Sequence, residues 1–98
     1  MKLVVEEIVK DLFLAKENKT KNIFNINGFK LGAELNNGVI FAGDLNEKDL
    51  SLTINLLTKL GENKYQSYYE KTIKIGESFE YADNSSDCDI KTKFTLKK

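Results

Sequence analysis

The chain has 98 residues and a formal net charge of zero, enough for one domain with its own core and without disulfide or metal staples. Acids and lysines balance along its length, eight of each in residues 1–60 and seven of each in residues 61–98, so no global field draws it to nucleic acid or to an anionic membrane. His, Arg, Pro and Trp are absent, which removes the usual general base, the commonest metal ligand and the planar fork that reads phosphate and guanine.

The first segment sets acids inside an apolar stretch and does not read as a signal peptide. No apolar run approaches the length of a membrane span. Residues 3–17 are expected to form a helix. Val4, Ile8 and Leu12 make its apolar spine, flanked by Val5, Val9 and Ala15, and Glu6 with Lys10 makes an i, i+4 pair. The β-branched Val and Ile residues lower helix propensity. The paired polar positions Glu6-Glu7 and Lys10-Asp11, however, break any strand alternation. Leu14 falls off the stripe and marks a helix end or a small exposed contact.

Residues 18–21 are a polar connector. Asn27-Gly28 is a strong hairpin signal, since both residues tolerate positive φ. It would pair Ile26 with Phe29 and Phe24 with Leu31, all on one face. Asn36-Asn37-Gly38 is a second turn leading into a strand at 39–43, whose two faces are both apolar.

Residues 46–61 are the clearest helix by end signals. Asn46 suits an N-cap, Asp49 a capping-box partner, Leu45 and Leu50 a hydrophobic staple, and Gly61 a stop. Leu50, Ile54, Leu57 and Leu60 would form the buried stripe. Leu50, Leu52, Ile54 and Leu56 also alternate like a strand, but the two ends favour helix.

Residues 64–75 read as a long strand with Tyr69, Ile73 and Ile75 on one face and Tyr68 on the other. Gly76-Glu77-Ser78 would turn it so that Ile75 meets Phe79 and Ile73 meets Tyr81. Residues 82–87 form a polar loop. Residues 88–96 alternate cleanly, with Cys88, Ile90, Thr92, Phe94 and Leu96 inward. The expected fold is therefore α+β, in the order αβββαβββ. It is a single antiparallel sheet of five to six strands with two helices packed on one face, all within one domain.

The candidate chemistry is sparse. Asp83, Ser85, Asp87 and Asp89 space oxygens as at the start of a calcium loop, but Cys88 stands where the turn glycine belongs and Phe94 where the closing glutamate belongs. A solvated loop is the plainer reading, and no metal or other cofactor is expected. Cys88 has acidic neighbours and no His, so it suits a small core residue better than a nucleophile. Lys91, Lys93, Lys97 and Lys98 suit a protected sheet edge.

Tyr65, Tyr68 and Tyr69 with Lys64 and Lys71 could stack single-stranded nucleic acid. Neutral charge and the lack of Arg favour a protein-binding face instead. No catalytic set can be assembled from the residue types present. The sequence thus points to a non-enzymatic, cytoplasmic binding protein that contacts a host or partner protein, with no membrane partner and with self-association left open. Small phage or mobile-element inhibitors of host enzymes or defences are of this type. A nucleic-acid or nucleotide-binding module is the alternative. The contact residues expected are Tyr65, Tyr68, Glu80, Asp83, Asp87 and Asp89.

Overall fold

A computed structural model describes residues 1–26, 28, 30–35, 38–84 and 88–98. These residues form eight antiparallel strands: β1 Lys2–Asp11, β2 Lys16–Asn25, β3 Lys30–Glu34, β4 Ile40–Asn46, β5 Ser51–Gly61, β6 Lys64–Lys74, β7 Ser78–Asn84 and β8 Cys88–Lys97. They build two four-stranded sheets, β2-β1-β8-β7 and β3-β4-β5-β6. The α+β expectation of one sheet under two helices is overturned: both expected helices are strands, and there are two sheets. No helix long and apolar enough to cross a membrane is present among the described residues. Each strand follows its predecessor round the molecule, with β8 returning to pair β1. The result is an up-and-down sandwich with two seams, β2/β3 and β6/β7.

β1 replaces the first expected helix. Leu3, Val5 and Glu7 point into the sandwich, while Val4 is buried on the opposite face, so the apolar residues hide the period of two. The polar pair that argued against a strand divides between the faces. Glu6 faces out, opposite Lys21 and Lys93. Glu7 faces in at 1% exposure, and its Oε2 accepts from Thr20 Oγ1 at 3.0 Å and Asn22 Nδ2 at 3.2 Å. A buried carboxylate supplied with donors is tolerated inside a sheet protein.

β5 replaces the second expected helix. Leu52, Ile54 and Leu56 are fully buried, following the alternation that the end signals outweighed. Those end signals are real but serve a hairpin loop. Asn46 Oδ1 accepts from the amides of Lys48 (3.0 Å) and Asp49 (3.3 Å), and Asn46 Nδ2 donates to Asp49 Oδ2 at 3.2 Å. Leu50 then takes a left-handed φ of 51°, which reverses the chain after four residues. At the far end β5 reaches Gly61, and Asn63, at φ 58°, turns it into β6.

The turn signals near residues 28 and 76 also exist, yet neither makes a hairpin. β2 pairs β1 and β3 pairs β4, so the chain crosses from one sheet to the other near Gly28. Phe24, Ile26 and Leu31 do meet one core, but from opposite sheets; Asn27 and Phe29 lie outside the described residues. The same holds after β6. Gly76, at φ 88°, donates its amide to Leu96 O at 2.8 Å, and Leu96 donates back to Glu77 O at 3.2 Å. Residues 75–77 therefore carry the chain across to β7, and Ile75 does not pair Phe79. The turn after β3 falls where expected, closed by the Leu35 amide on Val39 O at 2.7 Å; Asn36 and Asn37 lie outside the described residues.

The core is one aromatic chain inside an aliphatic shell. Phe24 meets Phe41 at 5.6 Å, Phe41 meets Phe94 at 5.3 Å, and Phe94 stacks on Phe79 at 5.0 Å. Leu3, Leu52, Ile73 and Leu96 close the end from which β7 starts. Gly43 is packed so closely that an added methyl would lie 3.3 Å from Leu52 Cδ1. The outer face of the β2-β1-β8-β7 sheet carries charges in cross-strand alternation, with Lys21, Glu6, Lys93 and Glu80 in one row. β8 is thus a central strand, not the basic edge expected, and of its lysines Lys93 stands between Glu6 of β1 and Glu80 of β7.

Candidate functional site

The aromatic chain does not stop at the core. Phe79 touches Tyr69 at 6.1 Å, Tyr69 touches Tyr81 at 5.7 Å, and Tyr81 touches Tyr68 at 6.0 Å. One backbone irregularity makes this work. Leu56 pairs Tyr69 and Leu57 pairs Ser67, which leaves Tyr68 as the extra residue of a β-bulge on edge strand β6. Regular pleating would have sent Tyr68 and Tyr69 to opposite faces, as the sequence suggested. The bulge re-aims Tyr68, so both rings reach Tyr81.

Tyr68, Tyr81 and Asp83 line a cleft of about 490 Å³ at one end of the sandwich. Val39, Ile40, Leu57 and Ile90 supply its apolar wall, and Lys59 stands at its lip. Burial pushes the Tyr68 phenol up from 10.0 to about 12, assisted by a hydrogen bond to Tyr81 and by the charges of Tyr81 and Asp83. The phenol therefore stays protonated at physiological pH, and the Asp83 carboxylate is close enough to be felt. Next to it, on the outer face of the β3-β4-β5-β6 sheet, a second groove of about 380 Å³ runs past Ile40, Ala42 and Leu57 to Tyr65.

The cleft opens at the end where β1 meets β2, since Asp83 and Ile90 lie two rows from Asp11. There the β1–β2 loop carries Leu12, Phe13 and Leu14, exposed at 47%, 79% and 65%. Asp11 Oδ1 accepts from the amides of Phe13 (2.9 Å) and Leu14 (3.0 Å), and Ala15 at φ 52° completes the reversal. The loop holds three apolar side chains away from the body of the protein. Leu60 and Tyr65, both exposed, sit at the same end on the other sheet.

Of the six residues expected at a contact face, Tyr68 and Asp83 meet in the cleft and Tyr65 lies in the adjoining groove. Glu80 and Asp89 point away on the outer face of the other sheet. Glu80 stands opposite Lys93 and Asp89 opposite Lys10. Asp87 lies outside the described residues. Asp83 and Asp89 therefore face opposite sides of their sheet, which separates two of the oxygens that spaced like a calcium loop. Sequence reasoning missed Tyr81 as a site residue and missed the tip. The tip had left one trace, a Leu14 that fitted no buried stripe. Compared with known proteins, the chain matches no family model, no curated protein and no solved structure.

Proposed function

We propose that this chain is a non-enzymatic binding protein that grips a partner protein with the end of the sandwich where the cleft opens. The observation that carries the reading is that Leu12, Phe13, Leu14, Leu60, Tyr65 and Tyr68, all of them exposed, lie at the one end of the sandwich where the cleft opens. Contiguous exposed apolar surface is costly in water, and in soluble proteins it marks contact sites. Tyrosine is enriched in such contacts because it combines a large apolar face with a polar tip. The absence of His from the chain supports a binding role over a catalytic one. Asp83 beside Tyr68 disfavours a phosphate-bearing ligand in the same cleft, which weighs against the nucleic-acid alternative. A lone half-buried Cys88 suits a reducing, cytoplasmic setting. In a phage or mobile-element setting, the partner is a host enzyme or defence protein.

The test is capture from host lysate by the immobilised chain, read by mass spectrometry beside its Phe13→Asp and Tyr68→Ala variants. One protein should be retained by the parent and reduced at least about tenfold by Phe13→Asp, since a central aromatic anchor is typically worth more than 2 kcal/mol. Equal capture by all three chains overturns the reading. Loss of a concentration-dependent dimer in the variants, seen by sedimentation, would replace the foreign partner with a second copy.

A further inference from the structure

The corner made by Tyr68, Tyr81 and Asp83 differs chemically from the rest of the contact end. The two rings are inclined at 61° with centroids 6.0 Å apart, and both line the cleft. Asp83 follows Tyr81 by two residues on β7, so its carboxylate shares the face of the ring. Below the corner the wall is aliphatic, formed by Val39, Leu57 and Ile90. A group that suits all three features carries a positive charge on a flexible apolar stem. The ring faces attract a cation through their quadrupoles, the carboxylate attracts it through its charge, and the aliphatic wall receives methylenes.

We infer that this corner is the seat of a lysine side chain presented by the partner. The inference rests on the reading of this end as a protein-contact surface, and it names the chemistry of one contact within it. Lys59 lines both the cleft and the outer groove and is exposed, so its stem can leave the ammonium in water. A solvated ammonium, screened by water and salt, opposes a second cation only weakly. An anion would gain Lys59 but would face Asp83 and two ring faces. A neutral apolar group would leave Asp83 unused.

The probe is n-butylammonium, the end of a lysine side chain, titrated into the intact protein at neutral pH with the ring signals of Tyr68 and Tyr81 followed by NMR. 1-Butanol and butyrate are the neutral and anionic counterparts, and phosphocholine stands for a lipid headgroup. Butylammonium should move both rings at concentrations roughly fivefold lower than butanol does, and butyrate should bind worst. Asp83→Asn, at an exposed position, should abolish the preference for the cation while the protein stays folded. Lys59→Ala should keep or strengthen it.

Equal titration by butanol and butylammonium overturns the lysine assignment, as does tighter binding of butyrate or of phosphocholine. Loss of the preference in Lys59→Ala also overturns it. These failures leave the contact end itself standing if Phe13→Asp still abolishes partner capture. Conversely, a clear preference for butylammonium in a chain whose Phe13→Asp variant captures as well as the parent would retain the corner and remove the wider contact surface.

Discussion

The two four-residue loops at opposite ends of the molecule have the same skeleton and opposite surfaces. The β1–β2 loop opens with Asp11, whose Oδ1 accepts the amides two and three residues on, and ends with Ala15 at φ 52°. The β4–β5 loop opens with Asn46, whose Oδ1 accepts the amides at the same two offsets, and ends with Leu50 at φ 51°. Between these fixed points one loop displays Leu12-Phe13-Leu14 and the other Glu47-Lys48-Asp49. Charged residues satisfy this turn fully, so the geometry does not ask for the apolar trio. The trio sits at the end where the cleft opens, and the charged set at the end closed by Leu52, Ile73 and Leu96. The difference between the ends is one of surface chemistry on a shared backbone device, which is the physical basis for reading one end as the contact end.

The widest contrast should be in stability. Phe41 is fully buried between Phe24 and Phe94, so Phe41→Ala should cost about 3–5 kcal/mol in chemical denaturation. Tyr68, half exposed at the cleft, should cost under about 1 kcal/mol when cut to alanine. Similar losses at both sites would erase the distinction between a packed core and an open cleft. The shared skeleton predicts matched, smaller effects in the loops. Asp11→Ala and Asn46→Ala should each cost about 1 kcal/mol, because each strands two loop amides. Ala15→Gly and Leu50→Gly should each stabilise by about 0.5 kcal/mol, since glycine takes positive φ without steric cost. A gain in one loop and a loss in the other would break the equivalence.

The Tyr68 phenol gives a still smaller, pH-dependent effect. Its folded value, about 12, lies above the ordinary 10.0 of the unfolded chain. Between those two values the unfolded state binds fewer protons, so stability falls as pH rises. The contribution is complete below pH 10.0 and is lost as pH climbs towards about 12. Tyr68→Phe should therefore flatten the alkaline decline and remove a phenol that ionises near pH 12 from an ultraviolet titration. Loss of a phenol that ionises near 10.0 instead would place Tyr68 in open water.

Much of the local chemistry was legible in the sequence, while its use was not. The Asn46–Asp49 exchange was foreseen as a helix cap, and the same hydrogen bonds close a hairpin loop. A cap specifies one turn of backbone; whether a helix follows depends on the next residue, and Leu50 turns left-handed instead. Residues 88–96 were read correctly because one face of β8 is polar and the period of two shows through. β1 was misread because Val4 and Ile8 put apolar residues on its outer face, and because buried Glu7 looks like a solvent position until Thr20 and Asn22 arrive from β2. Turns near residues 28 and 76 were located correctly, but a reversal within one sheet and a step between two sheets use the same residues. The site depends on a bulge at Tyr68, and two adjacent tyrosines carry no sequence mark that both will face one way.

The most direct measurement is partner capture by a chain in which the two trios are exchanged, so that residues 12–14 become Glu-Lys-Asp and residues 47–49 become Leu-Phe-Leu. Composition, net charge and loop geometry are all conserved, and stability should stay within about 0.5 kcal/mol of the parent because both loops are exposed. The expected result is a folded protein that no longer retains the partner, because its apolar trio has moved to the wrong end. Undiminished capture by the exchanged chain would contradict it, since the position of the trio beside the cleft would then count for nothing.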